Sequence, residues 1–166
     1  MITRAGTIVD ASIVEVPRQR NSREENRLIM AGQRPEAWQT NPDKLWQKDV
    51  DARWTKKNLE NHSGYKNHGR ADAYSALITD HVVTPASVHD SQELATLIGP
   101  PQAGENLFAD SADASAATDR TLAELGINNY VHEKGARNRP LTETKKGLNQ
   151  VKSQVRCLVE HVFGCV

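Results

Sequence analysis

Two short apolar segments of this chain each contain an aspartate at a place where a β-strand would be buried. Asp10 lies inside the run from Gly6 to Val16, after Thr7-Ile8-Val9, and Asp110 directly follows Leu107-Phe108-Ala109. Runs rich in Ile and Val are typical of buried strands. A buried carboxylate is costly unless it is paired or bound to a metal. If the two strands lie side by side, both carboxylates can therefore converge on one cation.

A third carboxylate, Glu160, lies on an apolar helix turn between Val159 and Val162-Phe163. Three acidic side chains at the edge of a sheet would form a site of hard oxygen ligands, which suits Mg²⁺ or Mn²⁺. Two such ions about 4 Å apart can activate an attacking oxygen and stabilise the leaving oxygen in phosphodiester chemistry. A chain with 21 acidic residues offers many such triplets, so spacing alone is weak support for this hypothesis.

The predicted order of elements favours an α/β fold with a mixed sheet. The sequence predicts strands over residues 6–16, 106–109 and 129–132, and paired strands over 63–83 with a turn near Gly69. It predicts helices that begin near Ser91 and Ala116 and end at Gly99 and Gly126. Residues 17–59 are polar and irregular. We interpret them as an excursion with short helices, packed down by Trp38, Trp46 and Trp54.

The clearest predicted element is a helix near the end of the sequence. Apolar residues recur there at helical spacing and share one face: Leu148, Val151, Val155, Leu158, Val159 and Val162. Arg156 and Glu160 are one turn apart on an adjoining face. The pattern therefore predicts a helix that packs through its apolar face and presents this charged pair beside it.

The net charge is zero, with 21 basic and 21 acidic residues. This balance excludes a uniformly basic nucleic-acid-binding protein but not a locally basic one. Residues 133–160 hold three acidic residues against seven basic ones, which are Lys134, Arg137, Arg139, Lys145, Lys146, Lys152 and Arg156. Charge alone leaves two interpretations of this segment open, a DNA-binding surface or a solvated helix face.

Several other function classes lack their sequence signals. No apolar stretch approaches the roughly 20 residues of a membrane span, and residues 1–16 show no signal-peptide pattern, so we predict a cytoplasmic protein. Cys157 and Cys165 are too few for structural zinc, and we predict that both pack on a helix face. No glycine-rich phosphate loop or Gly-x-Ser-x-Gly motif occurs. His89-Asp90-Ser91 could belong to a catalytic triad, but we favour Asp90 or Ser91 as a helix cap.

Ordered blocks of sequence extend along almost the whole chain. They are Val9-Asp10-Ala11-Ser12, Pro17-Arg18-Gln19-Arg20-Asn21, Trp46-Gln47-Lys48-Asp49, Ala52-Arg53-Trp54, Gly64-Tyr65-Lys66-Asn67-His68, Ala86-Ser87-Val88-His89-Asp90-Ser91-Gln92, Ala109-Asp110-Ser111-Ala112, Gly135-Ala136-Arg137-Asn138-Arg139-Pro140-Leu141, Val155-Arg156 and Val159-Glu160-His161-Val162-Phe163-Gly164. In these blocks the sequence resembles the catalytic region of bacterial insertion-sequence transposases of the DDE class, in the IS-five-like group.

The resemblance implies an RNase H-like fold, with a mixed five-stranded sheet flanked by helices. Residues 1–166 would form one catalytic domain, with a polar, Trp-containing insertion at about 17–60 after the first strand. Asp10 on the first strand, Asp110 on the fourth strand and Glu160 on the late helix would be its catalytic and metal-binding carboxylates. We expect the family's N-terminal DNA-binding region and its C-terminal end to be missing.

The activity that the resemblance implies is DNA transposition. Two Mg²⁺ ions (or Mn²⁺) would support phosphodiester hydrolysis at the transposon ends and then strand transfer into target DNA. DNA would be the partner, with self-association on two ends, in a bacterial cytoplasmic protein associated with the nucleoid. The expected DNA-binding residues are Arg156, Lys152, Arg137 and Arg139.

Three positions depart from the family's pattern. Around the last carboxylate the subgroup has Tyr-x₂-Arg-x₃-Glu-x₆-Lys. Arg156 and Glu160 match it, but Ser153 replaces the tyrosine and the lysine would fall one residue beyond Val166. Asp113 occupies a position that is usually aromatic. Two alternatives therefore stay open. One is a catalytically dead remnant that binds only DNA or a full-length transposase, and the other is a metal-dependent nuclease without transposition.

Overall fold

The computed structural model describes residues 6–99 and 103–163 of the chain, with side chains up to residue 160. The strands are β1 (Thr7–Glu15), β2 (Arg53–Lys57), β3 (Glu60–Asp72), β4 (Ile78–Pro85), β5 (Asn106–Phe108) and β6 (Asn128–Asn129). The helices are α1 (Arg23–Met30), α2 (Glu36–Gln39), α3 (Pro42–Gln47), α4 (Asp90–Ile98), α5 (Ala116–Glu124) and α6 (Glu143–Phe163). The predicted mixed sheet flanked by helices is confirmed.

The strands form one six-stranded mixed sheet in the order β2-β3-β1-β5-β6, with β4 also paired to β3. β1 pairs with β5 in parallel, and Thr7 and Ile8 lie opposite Leu107 and Phe108. β5 and β6 are also parallel, whereas β2 and β3 are antiparallel. The sheet has six strands rather than the expected five. The additional strand is β2, which lies within residues 17–59, the segment that we interpreted as an excursion with short helices. Residues 53–57 instead pair with the start of β3.

The chain divides into two compact units, of which the first comprises residues 1–12, 66–84 and 88–166. Side chains of adjacent strand residues point to opposite faces of a sheet, and Ile8 and Val9 accordingly belong to separate hydrophobic clusters. Val9 packs in a cluster that contains residues of α4 and α5. Ile8 packs with Ala71, Phe108 and Val159, so α6 covers the other face.

The second unit, residues 13–65 and 85–87, contains the predicted excursion and three of the short helices. Its centre is Trp38, which is fully buried and donates from Nε1 to Glu25 Oε1 at 2.7 Å. Lys44 Nζ donates to the same oxygen at 3.0 Å. Trp46 and Trp54 are 88% and 55% exposed, so the prediction that they also pack is wrong. An aromatic residue in sequence does not reveal whether a neighbour covers it.

The connection between β3 and β4 lies at residues 73–77 and not near Gly69, which is buried inside β3. The reason is the carboxylate of Asp72, which accepts from Ser75 N at 2.8 Å and from Ser75 Oγ at 2.6 Å. A side chain that binds the backbone in this way stabilises a turn at its own position. The hydrogen bonds of Asp72 therefore determine where the turn lies, and Gly69 does not.

α6 begins at Glu143, before the apolar positions that predicted it. Val159 on α6 is fully buried, whereas Leu148 and Val151 are 53% and 61% exposed. The first half of the helix is held by polar contacts. The Asn149 side chain accepts from Glu133 N at 2.9 Å and donates to Glu133 O at 3.0 Å, and Lys152 Nζ donates to Val131 O at 2.7 Å. Cys157, for which we predicted packing on the helix face, is exposed, and Cys165 lies outside the described residues.

Within the described ranges, none of the helices combines the length and the apolar character needed to cross a membrane.

We predict that Val159→Ala will lower the free energy of unfolding by about 1–3 kcal/mol, because it leaves a cavity where α6 meets β1 and β5. Val151→Ala is the matched control on the same helix, and its exposed side chain should change stability by less than about 0.5 kcal/mol. Urea denaturation would measure both values. Equal effects of the two substitutions would contradict the packing of α6 through Val159.

Candidate active site

Parallel pairing of β1 with β5 brings Asp10 and Asp110 to equivalent positions, each two residues beyond the Ile8–Phe108 pair. Local hydrogen bonds orient both carboxylates, since Ala11 N donates to Asp10 Oδ1 at 2.9 Å and Ser111 N donates to Asp110 Oδ1 at 2.6 Å. The side-by-side arrangement of the two strands, on which the sequence argument depended, is thus present. Asp10 and Asp110 directly follow the buried residues Val9 and Ala109, so both carboxylates lie next to the hydrophobic core.

Glu160 reaches this region through Arg156. Buried Val159 fixes the last turns of α6, and Arg156 Nη1 lies 3.2 Å from Asp110 Oδ1 while its Nη2 lies 3.5 Å from Glu160 Oε1. The Arg156 side chain is only 17% exposed, whereas that of Glu160 is 63% exposed. Arg156 therefore links the second and third predicted carboxylates and offsets part of their charge.

The arrangement differs from a closed metal cage. Over residues 6–99 and 103–160, no three Asp, Glu, His or Cys side chains lie close enough together to hold one metal ion. The guanidinium of Arg156 lies instead between Asp110 and Glu160. The structure thus places Asp10 on β1 and Asp110 two residues beyond the end of the neighbouring strand β5. It ties Glu160 to Asp110 by an ion-pair bridge through Arg156 rather than by direct approach.

Asp113 is a further acidic residue of this region, which the sequence analysis noted only as a departure from a pattern. It is 4% exposed. Its amide donates to Asp110 O at 3.0 Å, and its own carbonyl accepts from Thr118 Oγ1 at 2.7 Å. Burial raises the pKa of Asp113 to about 7, and the carboxylates of Asp90, Asp110 and Asp10 add to this increase. The raised pKa of Asp113 thus reflects first its burial and second the neighbouring carboxylates.

Asp90 is one of these neighbouring carboxylates and lies at the start of α4. Its Oδ1 accepts from Lys66 Nζ at 2.8 Å and lies 3.8 Å from Nδ1 of buried His68. The N-cap of α4 is His89, whose Nδ1 accepts from Ser91 N at 3.3 Å, so the expectation that Asp90 or Ser91 caps the helix is wrong by one or two positions. Since Asp90 pairs with Lys66, the three residues 89–91 do not form a triad.

His132 also belongs to the site, and no motif in the sequence indicated it. Tyr130 and His132 extend beyond β6 along β5, since their amides donate to Leu107 O at 2.8 Å and Ala109 O at 3.1 Å. This brings His132 Nδ1 to 3.9 Å from Asp110 Oδ1. Burial, followed by the charge of Arg156, lowers the pKa of His132, which favours its neutral form.

The basic residues predicted to bind DNA lie in three different settings. Arg156 is engaged with carboxylates, and Lys152 with a backbone carbonyl. Arg137 and Arg139 are exposed on the loop before α6, where Ala136 and Arg139 exchange backbone hydrogen bonds at 3.0 Å. Neither arginine has an ion-pair partner among the residues that the structure covers.

Without metal, we predict that Asp113 contributes a negative slope to the free energy of unfolding as the pH rises from about 4 to about 7. In this range folded Asp113 retains a proton that the unfolded chain has released, so folding takes up a proton. Asp113→Asn should remove this slope and be more stable than wild type at pH 8, by up to about 4 kcal/mol. Chemical denaturation at several pH values would test this, with exposed Asp80→Asn as control. Equal slopes in Asp113→Asn and wild type would contradict it.

Comparison with known proteins places this chain in a family. The family model described as "Transposase DDE domain" matches residues 3–166. The chain is 34% identical over 160 residues to the transposase for insertion sequence element IS1106 of Neisseria meningitidis serogroup B. The match covers 96% of this chain and 53% of that relative, so the chain spans about half of its length.

A solved structure shares the fold. It is the cryo-EM structure of the piggyBac transposase synaptic complex with hairpin DNA, and the superposition has a TM-score of 0.52 at 9% sequence identity. It covers 97% of this chain and 40% of that one. On the family model and the 34% identity, this chain belongs to the DDE transposase domain family.

Proposed function

We propose that this chain is the catalytic region of a bacterial insertion-sequence transposase, a polynucleotidyl transferase that cleaves phosphodiester bonds at transposon ends and joins them to target DNA. The observation that carries the proposal is the parallel pairing of β1 with β5, which leaves Asp10 and Asp110 each two residues beyond the last paired residues, with Glu160 connected to Asp110 through Arg156. A pair of carboxylates on adjacent strands with a third from a helix is an arrangement suited to metal-assisted phosphodiester chemistry.

The chemistry of the donor set fits a divalent cation. The DDE transposase family generally uses such ions, and we propose Mg²⁺ or Mn²⁺, because all three predicted ligands are carboxylates. Asp10 and Asp110 would hold the ion, with Glu160 as the third ligand. When bound, the cations would supply charge neutralisation at the phosphate and activation of the attacking oxygen.

The side chains around the carboxylates have supporting roles. Arg156 orients Asp110 and Glu160, and its charge limits their mutual repulsion. Neutral His132 flanks Asp110 without adding a positive charge that would compete with a cation. Lys66 pairs with Asp90 at 2.8 Å and thereby fixes the orientation of the Asp90 carboxylate at the start of α4.

DNA is the proposed substrate and partner. Arg137 and Arg139 are exposed and unpaired within the described residues, so they are the best-placed groups for phosphate contacts. We propose that Lys152 and Arg156, which are closer to the carboxylates, contact the backbone near the cleaved bond. We also propose self-association, because a reaction at two transposon ends requires two active sites. The proposed location is the bacterial cytoplasm, in association with the nucleoid.

We predict that the chain nicks supercoiled plasmid in the presence of Mn²⁺ or Mg²⁺. Asp10→Asn and Glu160→Gln should each reduce the nicking rate at least about 100-fold, because each removes a charged ligand of the proposed site. Agarose-gel conversion of supercoiled to open-circular DNA would measure the rate. Asp80→Asn is a control with an exposed carboxylate on β4.

Three results would distinguish the alternatives when joining of a labelled DNA end to a target duplex is measured beside nicking. Cleavage lost in both variants supports the transposase site. Cleavage of any duplex without joining to target DNA would favour a nuclease of the same fold. A folded wild-type chain that does not cleave would contradict the proposed activity and favour a remnant that only binds DNA or a full-length transposase.

We further predict that Arg137→Ala with Arg139→Ala will weaken binding to duplex DNA and reduce the slope of log Kd against log salt by roughly 2. Each lost phosphate contact releases about one counterion fewer. Fluorescence anisotropy at several salt concentrations would measure the slope. Lys145→Ala with Lys146→Ala is the matched control, because these lysines already pair with Glu133 and Glu143 at 2.8 Å. Identical slopes in the two double variants would exclude a specific role of the arginines.

A further inference from the structure

We propose that a cavity beside Trp54, in the second unit, binds an unpaired nucleobase of a DNA strand. Trp54 would stack on the base, and Arg18 and Lys56 would contact the adjacent phosphates. This inference rests on the proposed function in one respect, since it takes DNA as the partner. It concerns different residues, because the second unit contains none of the three predicted catalytic carboxylates.

The first observation is the cavity itself, which has a volume of about 550 Å³. Cavities of roughly 300–1,000 Å³ are typical of sites that bind small molecules. Its walls combine apolar side chains with neutral hydrogen-bonding groups, among them Trp54, Met30, Gln19, Asn26 and Ser63. A nucleobase is a flat ring with hydrogen-bonding groups at its edge, so this combination suits it.

The second observation is the setting of Trp54. Its side chain lines the cavity, and the residue is 55% exposed on β2. The guanidinium carbon of Arg18 lies 5.6 Å from the centre of the Trp54 ring, which is a cation–π contact. Sites for unpaired nucleic acid combine an aromatic surface on which bases stack with positive side chains along the backbone. Trp54 and Arg18 provide both elements next to the cavity.

The third observation is a second positive side chain on the same face of the sheet. Lys56 follows Trp54 by two residues on β2, so the two side chains point in the same direction. Lys56 pairs with Asn61 in the β2-β3 ladder, and Arg18 donates to the carbonyl of Asn61 at 3.3 Å. Both cations therefore lie around one position of the ladder, beside Trp54.

Charge favours a DNA strand over an apolar protein segment as the occupant. Asp49 also lines the cavity, but its carboxylate accepts from the Tyr65 hydroxyl at 2.7 Å and from the Ala52 amide at 2.9 Å. Arg18 and Lys56 have no ion-pair partner among the residues that the structure describes. The charge left without a partner beside Trp54 is thus positive, as phosphate groups require.

The test is the affinity of the full chain for labelled oligonucleotides, measured by fluorescence anisotropy without divalent metal so that binding is separated from cleavage. A single-stranded oligothymidylate is compared with an abasic strand of the same length. Trp54→Ala should weaken binding of the oligothymidylate at least tenfold and leave binding of the abasic strand unchanged. Trp54→Phe, which keeps a stacking surface, should bind within about threefold of wild type.

Trp46→Ala is the matched control and should bind both strands like wild type, because Trp46 is 88% exposed and lies outside the cavity wall. Arg18→Ala and Lys56→Ala should each reduce the slope of log Kd against log salt by roughly 0.7, the value for one phosphate contact on a single strand. Circular dichroism would confirm that each variant is folded.

The outcomes separate this inference from the proposed function. Wild-type affinity in Trp54→Ala, or an equal loss of affinity for both strands, would overturn base stacking on Trp54 whether or not the chain nicks plasmid. Binding of free thymidine monophosphate as tightly as the oligothymidylate would overturn a DNA strand as the occupant. Weakened binding in Trp54→Ala alone, with Trp46→Ala unchanged, would establish the site. A chain that binds in this way but does not nick would contradict only the proposed activity.

Discussion

The parallel pairing of β1 with β5 is the contact on which the rest of this structure depends. Two residue pairs define its register, Thr7 with Leu107 and Ile8 with Phe108. Ile8 and Val9 point to opposite faces of the sheet, and each anchors a separate cluster, one under α4 and α5 and one under α6. The same two strands then continue into Asp10 and Asp110. Burial of apolar side chains thus provides the energy that brings two like charges together.

The acidic region shows how a folded chain accommodates repulsion among carboxylates. Lys66 neutralises Asp90, and Arg156 bridges Asp110 and Glu160. Among the described residues, the buried Asp113 Oδ1 has no hydrogen-bond partner, and the pKa of Asp113 is raised by burial and by the neighbouring carboxylates. Repulsion between carboxylates that no basic side chain offsets is typical of functional sites, where a bound ligand can offset it.

The parts that sequence predicted well are those that local patterns control. Runs of β-branched residues indicated β1, and the heptad-like spacing on α6 placed Arg156 and Glu160 one turn apart, as the structure shows. Patterns could not show which surfaces are covered by residues distant in sequence. Trp46 and Trp54 are exposed for that reason, and the proximity of His132 to Asp110 depends on pairing between β5 and the extension of β6. The burial of Asp113 likewise follows from long-range packing that spacing does not encode.

The contacts between α6 and residues 131–133 have a consequence for the edge of the sheet. β6 is the last strand of the order, and an open strand edge invites pairing with another chain. Here the side chains of Asn149 and Lys152 bind the backbone groups of Glu133 and Val131 that a neighbouring strand would otherwise use. The helix thereby covers the backbone just beyond β6, at residues 131–133. A further strand could pair with these backbone groups only if the side chains of α6 first released them.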